Sequence, residues 1–300
     1  MATKIEWTRG DDGMPGETWN PTSGCDKVSP GCELPRFDGD DTGGCYAMAM
    51  AKRLKGMGQA KYQNDGDPRT SGPGFGLTVH PDALTVPLRW GKPRRVFVNS
   101  MSDLGHARVP ADFLAQVWAV MAATPQHTYQ ILSKRPGRMR SLLSRGELGT
   151  DGFPDEVEEA MAEFTHASLD EWPLPNVWMG TSIELDRYCT RADSLRETPA
   201  AVRFLSLEPL LGPLPSLDLT GIGWAIIGGE SGPGSREMDL GWARELVSRC
   251  RAAGTAVSVK QLGSIAGREL GAGAKGGDMS AFPGDLKIRE FPRIPGAVAA

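Results

Sequence analysis

The sequence predicts an α/β fold: a (β/α) TIM-like barrel, complete or nearly complete, with a cysteine loop close to the N-terminus. From about residue 76 onward, short β-branched or aromatic runs alternate with amphipathic segments, a pattern typical of βα units around a parallel sheet. Clusters of polar residues follow the apolar runs. The length of 300 residues suits one barrel with insertions.

Seven runs have the composition of buried strands. They are Gly76–His80, Val96–Ser100, Thr128–Lys134, Val177–Ser182, Val202–Glu208, Trp224–Glu230 and Ala256–Gln261. An eighth strand from Lys4–Thr8 or Thr18–Asn20 would complete the barrel, because eight parallel strands close into one.

The segments between these runs carry apolar residues three and four positions apart, which indicates amphipathic helices. Phe113, Val117 and Met121 mark one such helix. A second begins near Leu240 and is expected to stop at Gly254, because glycine favours the end of a helix.

The expected domain organisation is a barrel over residues 1–266 and a tail over 267–300 packed on its outside. Within the barrel, residues 20–47 form the cysteine loop, and residues 149–175 are an inserted acidic segment with a solvated helix. Glu33–Gly44, inside the cysteine loop, is acidic and glycine-rich and reads as a further insertion.

Charge and hydropathy narrow the functional classes. The chain has a formal net charge of −4, which disfavours a surface that binds nucleic acid by charge alone, although a local basic patch remains compatible with it. No apolar stretch is long enough to span a membrane, and the N-terminus lacks the pattern of a signal peptide. We therefore expect a cytoplasmic protein without a membrane partner.

The ends of the predicted strands are rich in polar residues. In a parallel barrel these ends share one rim, where active sites form, so they predict a polar cavity. The alternative is that strand ends are polar because they reach water. The residues concerned are Asn99, Ser100, Ser102, Asp103, Ser133, Lys134, Arg135, Thr181, Ser182, Glu208, Gly228, Gly229, Glu230, Ser231, Lys260 and Gln261.

Cys25, Cys32 and Cys45 lie in a loop rich in glycine and proline, whereas the other two of the five cysteines stand alone. In a reducing compartment such clustering indicates metal ligation before disulfides. An iron–sulfur cluster with one iron left open, a zinc site and unligated thiols all remain compatible with this spacing. Zinc would need a fourth ligand, such as a histidine, because the chain has no C-x-x-C pair.

Several motifs resemble a phage and prophage family known for its three-cysteine motif, and the likeness covers nearly the whole chain. The motifs are Thr18-Trp19-Asn20-Pro21, Gly24-Cys25, Val28-Ser29-Pro30-Gly31-Cys32, Cys45-Tyr46-Ala47, Val96-Phe97-Val98-Asn99-Ser100-Met101-Ser102-Asp103-Leu104, Leu132-Ser133-Lys134-Arg135-Pro136, Phe204-Leu205-Ser206-Leu207-Glu208-Pro209-Leu210-Leu211-Gly212, Gly228-Gly229-Glu230-Ser231-Gly232-Pro233-Gly234 and Lys260-Gln261.

That family is similar to divergent radical S-adenosylmethionine enzymes with a barrel of the spore photoproduct lyase type. The resemblance implies that Cys25, Cys32 and Cys45 hold a [4Fe–4S] cluster whose open iron binds S-adenosylmethionine, with electrons from a donor protein. Catalytic roles would fall to Glu208, Lys260 and Asp103. The implied cofactor contacts are Tyr46, Asn99, Ser100, Ser102, Lys134, Gly228, Gly229, Glu230 and Ser231. Radical enzymes of this type carry their cysteines closer together, so Glu33–Gly44 would have to loop out.

Three functions follow. The first is a radical enzyme that modifies a nucleotide or a nucleic-acid base. Basic residues would guide a phosphate backbone, namely Lys52, Arg53, Arg94, Arg95, Lys134, Arg135, Arg138 and Arg140. The second is a non-catalytic, zinc-stabilised barrel that serves a phage by binding a host protein or nucleic acid. The third is hydrolysis by Glu208 and Glu230, which lacks a supporting G-x-S-x-G or H-E-x-x-H motif.

Overall fold

The computed structural model describes residues 3, 5–9, 15–32 and 45–293. In this part of the chain the strands are β1 (Glu17–Trp19), β2 (Thr22–Ser23), β3 (Thr78–Val79), β4 (Arg95–Val98), β5 (Thr128–Ser133), β6 (Val177–Ser182), β7 (Val202–Leu207), β8 (Trp224–Gly228) and β9 (Ala256–Gln261). The helices are α1 (Tyr46–Gly56), α2 (Pro81–Leu84), α3 (Ala111–Ala122), α4 (Pro136–Leu143), α5 (Phe153–Met161), α6 (Thr190–Arg196), α7 (Leu240–Ala253) and α8 (Ser264–Glu269). Short 3-10 turns cover Glu6–Thr8, Pro30–Cys32, Ala60–Tyr62, Pro87–Arg89, Asp186–Tyr188, Met279–Ala281 and Gly284–Leu286.

The main sheet is open, so the prediction of a complete or nearly complete TIM-like barrel was wrong. Its seven strands run in the order β1-β4-β5-β6-β7-β8-β9, which does not return to β1. The fold class is still α/β, and the pairs β1–β4, β4–β5, β7–β8 and β8–β9 of this sheet are parallel. Six of the seven predicted strands occupy this sheet near their predicted positions.

The missing strand is explained by the segment Gly76–His80. Only Thr78–Val79 is extended, and it pairs antiparallel with Thr22–Ser23 in a separate two-stranded sheet. Pro81 then starts a helix, which limits the length of the strand. Of the two candidates for an eighth strand, Glu17–Trp19 joins β4 as an edge strand, while Glu6–Thr8 is a 3-10 turn and Lys4 lies outside the described residues.

The chain divides into two compact units. The first comprises Met1–Lys27, Tyr46–Met179 and Glu197–Ala201, within the described residues. Its strands β1, β4 and β5 pair in register, with Glu17 opposite Val96 and Arg95 opposite Thr128. The core of this unit includes Trp19, whose indole N–H donates to the carbonyl of Ala83 at 2.8 Å.

Helix α5 shows how the acidic segment 149–175 is built. Its carboxylates face outward, but Phe153, Val157 and Met161 are buried. The ring of Phe153 meets that of Trp118 on α3 edge-on, with centroids 5.8 Å apart. The expected helix is therefore present, but one of its faces belongs to the core. The other predicted insertion, Glu33–Gly44, lies outside the described residues.

The second unit comprises Val28–Cys45, Gly180–Arg196 and Val202–Ala300, within the described residues. Strands β7, β8 and β9 are almost fully buried, and α7 packs against β9. Helix α7 ends at Gly254, whose φ of 72° is the left-handed conformation expected at a helix stop. The backbone at 288–290 follows the outer edge of β9, with Val259 N–H donating to Ile288 O at 3.0 Å. This edge is therefore covered by the chain itself.

No helix in the described part of the chain is long and apolar enough to cross a membrane.

Candidate functional site

The first unit holds Cys25 against a positively charged side chain. Arg135, which follows β5, places Nη1 3.1 Å from Cys25 Sγ and donates from Nη2 to the carbonyl of Asp26 at 2.8 Å. Burial lowers the pKa of the Arg135 guanidinium, but its contacts with Cys25 and Asp103 outweigh burial and raise the pKa. A guanidinium at this distance stabilises a thiolate over a thiol.

Asp103 fixes the position of Arg135. It follows β4, is buried, and accepts hydrogen bonds from Arg135 Nη1 (2.9 Å), Ser133 Oγ (2.6 Å) and the backbone N–H groups of Lys134 (3.1 Å) and Gly105 (2.8 Å). The ends of β4 and β5 are thus joined through one carboxylate. All its contacts are to donors of the protein, which is the arrangement that a buried carboxylate requires.

Asp26, next to Cys25, carries a second carboxylate of this unit that accepts several hydrogen bonds. Its carboxylate accepts from Thr70 (2.8 Å), Ser71 (2.9 Å), His106 Nε2 (2.8 Å) and Arg108 (3.1 Å). Burial favours the protonated form, but the hydrogen bonds from His106, Thr70 and Ser71 outweigh it and hold the pKa of Asp26 well below its usual range. The N–H of Arg108 donates to His106 Nδ1 at 3.2 Å, which leaves the proton on Nε2.

The predicted cofactor contacts at the end of β4 form a polar group with the neighbouring strand ends. Asn99 has a φ of 62° and donates to Thr22 Oγ1 at 2.7 Å, and Thr22 Oγ1 lies 2.7 Å from Ser102 Oγ. Ser100 Oγ donates to Asn20 Oδ1 at 3.2 Å. The structure therefore brings Asn99, Ser100 and Ser102 into one region, bonded to β2 and the end of β1.

The second unit holds the turn Pro30–Cys32. Arg236 Nη2 donates to the carbonyl of Pro30 at 3.0 Å, and the N–H of Gly31 donates to Glu184 Oε1 at 3.1 Å. Arg236 is in turn paired with Glu230, through Nη2 at 2.6 Å and Nε at 2.8 Å. Glu230, a predicted cofactor contact, thus acts in the fold as the partner of an arginine that contacts the cysteine loop.

Two further predicted catalytic residues meet in this unit. Lys260 Nζ lies 2.8 and 2.9 Å from the two carboxylate oxygens of Glu208, so these residues of β9 and the end of β7 form an ion pair. Gly228 lies between them in the sheet, and a Cβ there would lie 3.2 Å from Glu208 Cδ, so a larger side chain would require Glu208 to shift by a few tenths of an ångström.

The glycine run after β8 is engaged in the fold. The N–H of Gly229 donates to Gln261 O at 3.0 Å, and a Cβ at Gly229 would lie 2.6 Å from Leu262 O. Close approach of the chain after β9 is one reason for glycine here. Ser231, the last member of the predicted set, is half-buried beside Glu230.

The five cysteines fall into two classes. Cys25, Cys32 and Cys45 form no disulfide and are partly exposed, and Cys45 directly precedes α1, whose first residue Tyr46 is 67% exposed. Cys189 and Cys250 are buried, and burial raises the pKa of each thiol to about 12. Partial exposure is typical of reactive thiols, and the first class has it while the second does not.

The donor chemistry of these three residues suits a [4Fe–4S] cluster, because reduced, accessible sulfur is the preferred ligand and Cys25 lies against a cation. As placed in the described residues, His, Cys, Asp and Glu side chains form no group of three or more that could hold a metal ion.

Several predicted phosphate-guiding residues have partners within the fold. Arg94 pairs with Glu17, Arg140 pairs with Glu197 at 2.5 Å, and the guanidinium of the buried Arg95 lies 5.5 Å from the centre of the Trp178 ring. Lys134 donates its backbone N–H to Asp103.

Sequence reasoning missed the contacts of four residues that hold the cysteine loop. Asp26 is adjacent to Cys25, which was one available signal. Glu184 interrupts the apolar stretch that follows β6, and Arg236 lies six positions after Glu230. Arg135 stood in a recognised motif but was considered as a phosphate contact rather than as a partner of Cys25.

A family model described as a protein of unknown function (DUF5131) matches residues 2–284. No curated protein matches the chain. No solved structure matches it either.

Proposed function

We propose that this chain, which belongs to the DUF5131 family, is a cytoplasmic iron–sulfur enzyme of the radical S-adenosylmethionine type. Cys25, Cys32 and Cys45 would be the ligands of a [4Fe–4S] cluster. The observation that carries the proposal is the contrast among the cysteines: these three are partly exposed, with Cys25 held 3.1 Å from a guanidinium, while the other two are buried. The resemblance of the cysteine motif to a phage family supports the same assignment.

Cys25, Cys32 and Cys45 would hold the cluster, which when reduced would supply one electron for splitting S-adenosylmethionine into methionine and a 5′-deoxyadenosyl radical, and this radical would become 5′-deoxyadenosine by taking a hydrogen atom from the substrate. The chain's own residues would provide the surroundings. Arg135 stabilises the negative charge of the Cys25 thiolate. The Glu208–Lys260 pair offers an acceptor and a donor to polar groups of a ligand.

The substrate proposed is a nucleotide or a nucleic-acid base, and an electron-donor protein would be a partner. Support for a nucleic-acid backbone is reduced by the pairing of Arg94 and Arg140 with carboxylates. A small nucleotide, which needs fewer phosphate contacts, therefore suits the described residues better.

The proposal is tested by anaerobic reconstitution of the full chain with iron and sulfide, followed by dithionite and S-adenosylmethionine. We expect about four iron and four sulfide per chain and release of 5′-deoxyadenosine. The triple variant Cys25→Ala/Cys32→Ala/Cys45→Ala should bind neither iron nor sulfide. The matched variant Cys189→Ala should behave as the unmodified chain. Zinc without iron or sulfide would contradict the proposal and favour the zinc-stabilised alternative.

A further inference from the structure

The backbone directly before Cys32 is held by two charged side chains of the second unit. Arg236 donates to the carbonyl of Pro30 at 3.0 Å, and Glu184 accepts from the N–H of Gly31 at 3.1 Å. The turn is closed by the N–H of Cys32, which donates to Ser29 O at 2.9 Å. Successive groups of this short turn are therefore fixed, and with them the direction in which the Cys32 side chain leaves the backbone.

Each of the two charged side chains is itself fixed. Glu184 is fully buried (0% exposed) and pairs with Arg191 Nη1 at 3.0 Å. The guanidinium of Arg191 lies 4.3 Å from the centre of the Tyr188 ring. On the other side, Glu230 is 7% exposed and binds Arg236 through both Nε and Nη2. Two ion pairs thus converge on one turn.

A turn at the protein surface can obtain its hydrogen bonds from water, so holding the backbone of Pro30 and Gly31 does not by itself require charged residues. Burying the Glu184 carboxylate costs desolvation free energy that only a well-placed partner offsets. Outer groups of this kind are common around metal ligands, where they orient the ligating side chain. The arrangement at Pro30–Cys32 has that form.

We propose that Glu184 and Arg236 are positioning residues that orient Cys32 for metal binding. The inference rests on the proposed function, in which Cys32 is a cluster ligand. In this proposal Glu230, within the glycine run after β8, holds Arg236 in place. The two residues act on the backbone of the cysteine turn and contact neither metal nor substrate.

The test is an anaerobic titration of the metal-free full chain with Co²⁺, whose sulfur-to-cobalt charge-transfer absorption increases with each thiolate bound. We expect Glu184→Gln and Arg236→Gln to weaken Co²⁺ binding by about 10- to 100-fold and to reduce the charge-transfer intensity to that of Cys32→Ala. Arg236→Lys keeps a donor and a positive charge and should recover part of the affinity. Arg244→Gln is the matched control, because Arg244 is paired with Asp285 in the same unit and should leave binding unchanged.

The outcomes separate the two proposals. If the unmodified chain binds Co²⁺ through Cys32 and both Gln variants bind it equally well, the positioning role is overturned and the proposed function stands. If Cys32→Ala leaves the spectrum of the unmodified chain unchanged, Cys32 is not a ligand and both proposals fail.

A second measurement covers variants that fold poorly. Metal-free variants are treated with iodoacetamide at one pH, and alkylation of Cys25 and Cys32 is followed by mass spectrometry of the same digest. Without the contacts of Glu184 or Arg236 to the turn, the alkylation rate of Cys32 should rise several-fold while the alkylation rate of Cys25 stays unchanged. Equal acceleration at both cysteines would indicate general loosening and would overturn the inference.

Discussion

Cys25 and Cys32 are held by similar devices in two different units. Near Cys25, Asp103 holds Arg135, which donates to the carbonyl of Asp26. Near Cys32, Glu230 holds Arg236, which donates to the carbonyl of Pro30. In each case a carboxylate after a parallel strand fixes an arginine, and the arginine fixes the peptide beside a cysteine.

The two regions differ in what the arginine reaches. Arg135 also lies 3.1 Å from the sulfur of Cys25, so this region acts on the charge of the thiol. The contacts that hold the turn before Cys32 are to the backbone, so that region acts on geometry. The same kind of ion pair therefore places a positive charge beside a sulfur atom in one region and orients the backbone in the other. Which of the two it does depends on the atom that the guanidinium contacts.

The largest effect is expected from Asp103→Ala. The substitution removes the acceptor of four hydrogen bonds and leaves Arg135 without its carboxylate partner. We expect the free energy of unfolding to fall by about 3–5 kcal/mol, measured by urea denaturation. Alkylation of Cys25 should change in the same variant, because Arg135 loses its anchor.

Glu230→Ala is the matched change near Cys32 and should cost less, about 1.5–3 kcal/mol. The hydrogen bonds it removes come from Arg236 alone, and this arginine is 26% exposed and can be hydrated. Equal losses of unfolding free energy in Asp103→Ala and Glu230→Ala would contradict this expectation, because they would show that the two ion pairs contribute alike to stability.

An intermediate effect is expected from Asp26→Asn. Hydrogen bonds hold the pKa of Asp26 well below its usual range in the folded chain. The unfolded carboxyl takes up its proton near pH 4, so the folded state gains stability above that pH and loses the gain as the pH falls through the lowered folded pKa. We expect a loss of about 1.5–3 kcal/mol at pH 7, measured by urea denaturation from pH 7 to pH 2.

The difference between the unmodified chain and Asp26→Asn should shrink below about pH 4 as the unmodified carboxyl becomes protonated. A constant difference across the acid range would show that Asp26 stabilises the fold by shape and not by charge. The variant Asp112→Asn is a suitable control, because the Asp112 carboxylate accepts from the neighbouring backbone N–H of Phe113.

The smallest effect is expected from Arg108→Ala. Arg108 contacts Asp26 at 3.1 Å, but its side chain is 60% exposed, and such a pair contributes about 0–1 kcal/mol. Thermal and urea unfolding of this variant should therefore match the unmodified chain within that range, even at low salt. A larger loss of unfolding free energy would mean that Arg108 is needed to keep the Asp26 carboxylate in place. The Arg108–Asp26 pair would then contribute more than an ordinary surface ion pair.

Much of the architecture was predictable from local pattern. The runs Val177–Ser182 and Ala256–Gln261 form strands with the predicted bounds, and α7 ends at the predicted Gly254. These features depend on neighbouring residues, since buried strands need continuous apolar runs and a helix stop needs a residue that tolerates positive φ.

The candidate site was predictable in part. Asp103, Glu208, Glu230 and Lys260 were identified because they follow or end buried strands, and the structure places each in an ion pair. Their partners were harder to find. Arg135 and Arg236 lie in loops, where arginine is common at surfaces, and their sequence context does not tell a solvated side chain from a paired one.

The order of residues by itself determined the α/β class, the places of most strands and helices, and the gathering of three cysteines near the N-terminus. Tertiary structure decided that Thr78–Val79 would pair with Thr22–Ser23 and leave the main sheet open at seven strands. It also decided that Glu184 and Arg236 would hold the turn before Cys32. The reason is that hydrogen bonds between strands and between buried charges join residues far apart in the chain, and their free energy depends on which remote groups the whole fold brings together.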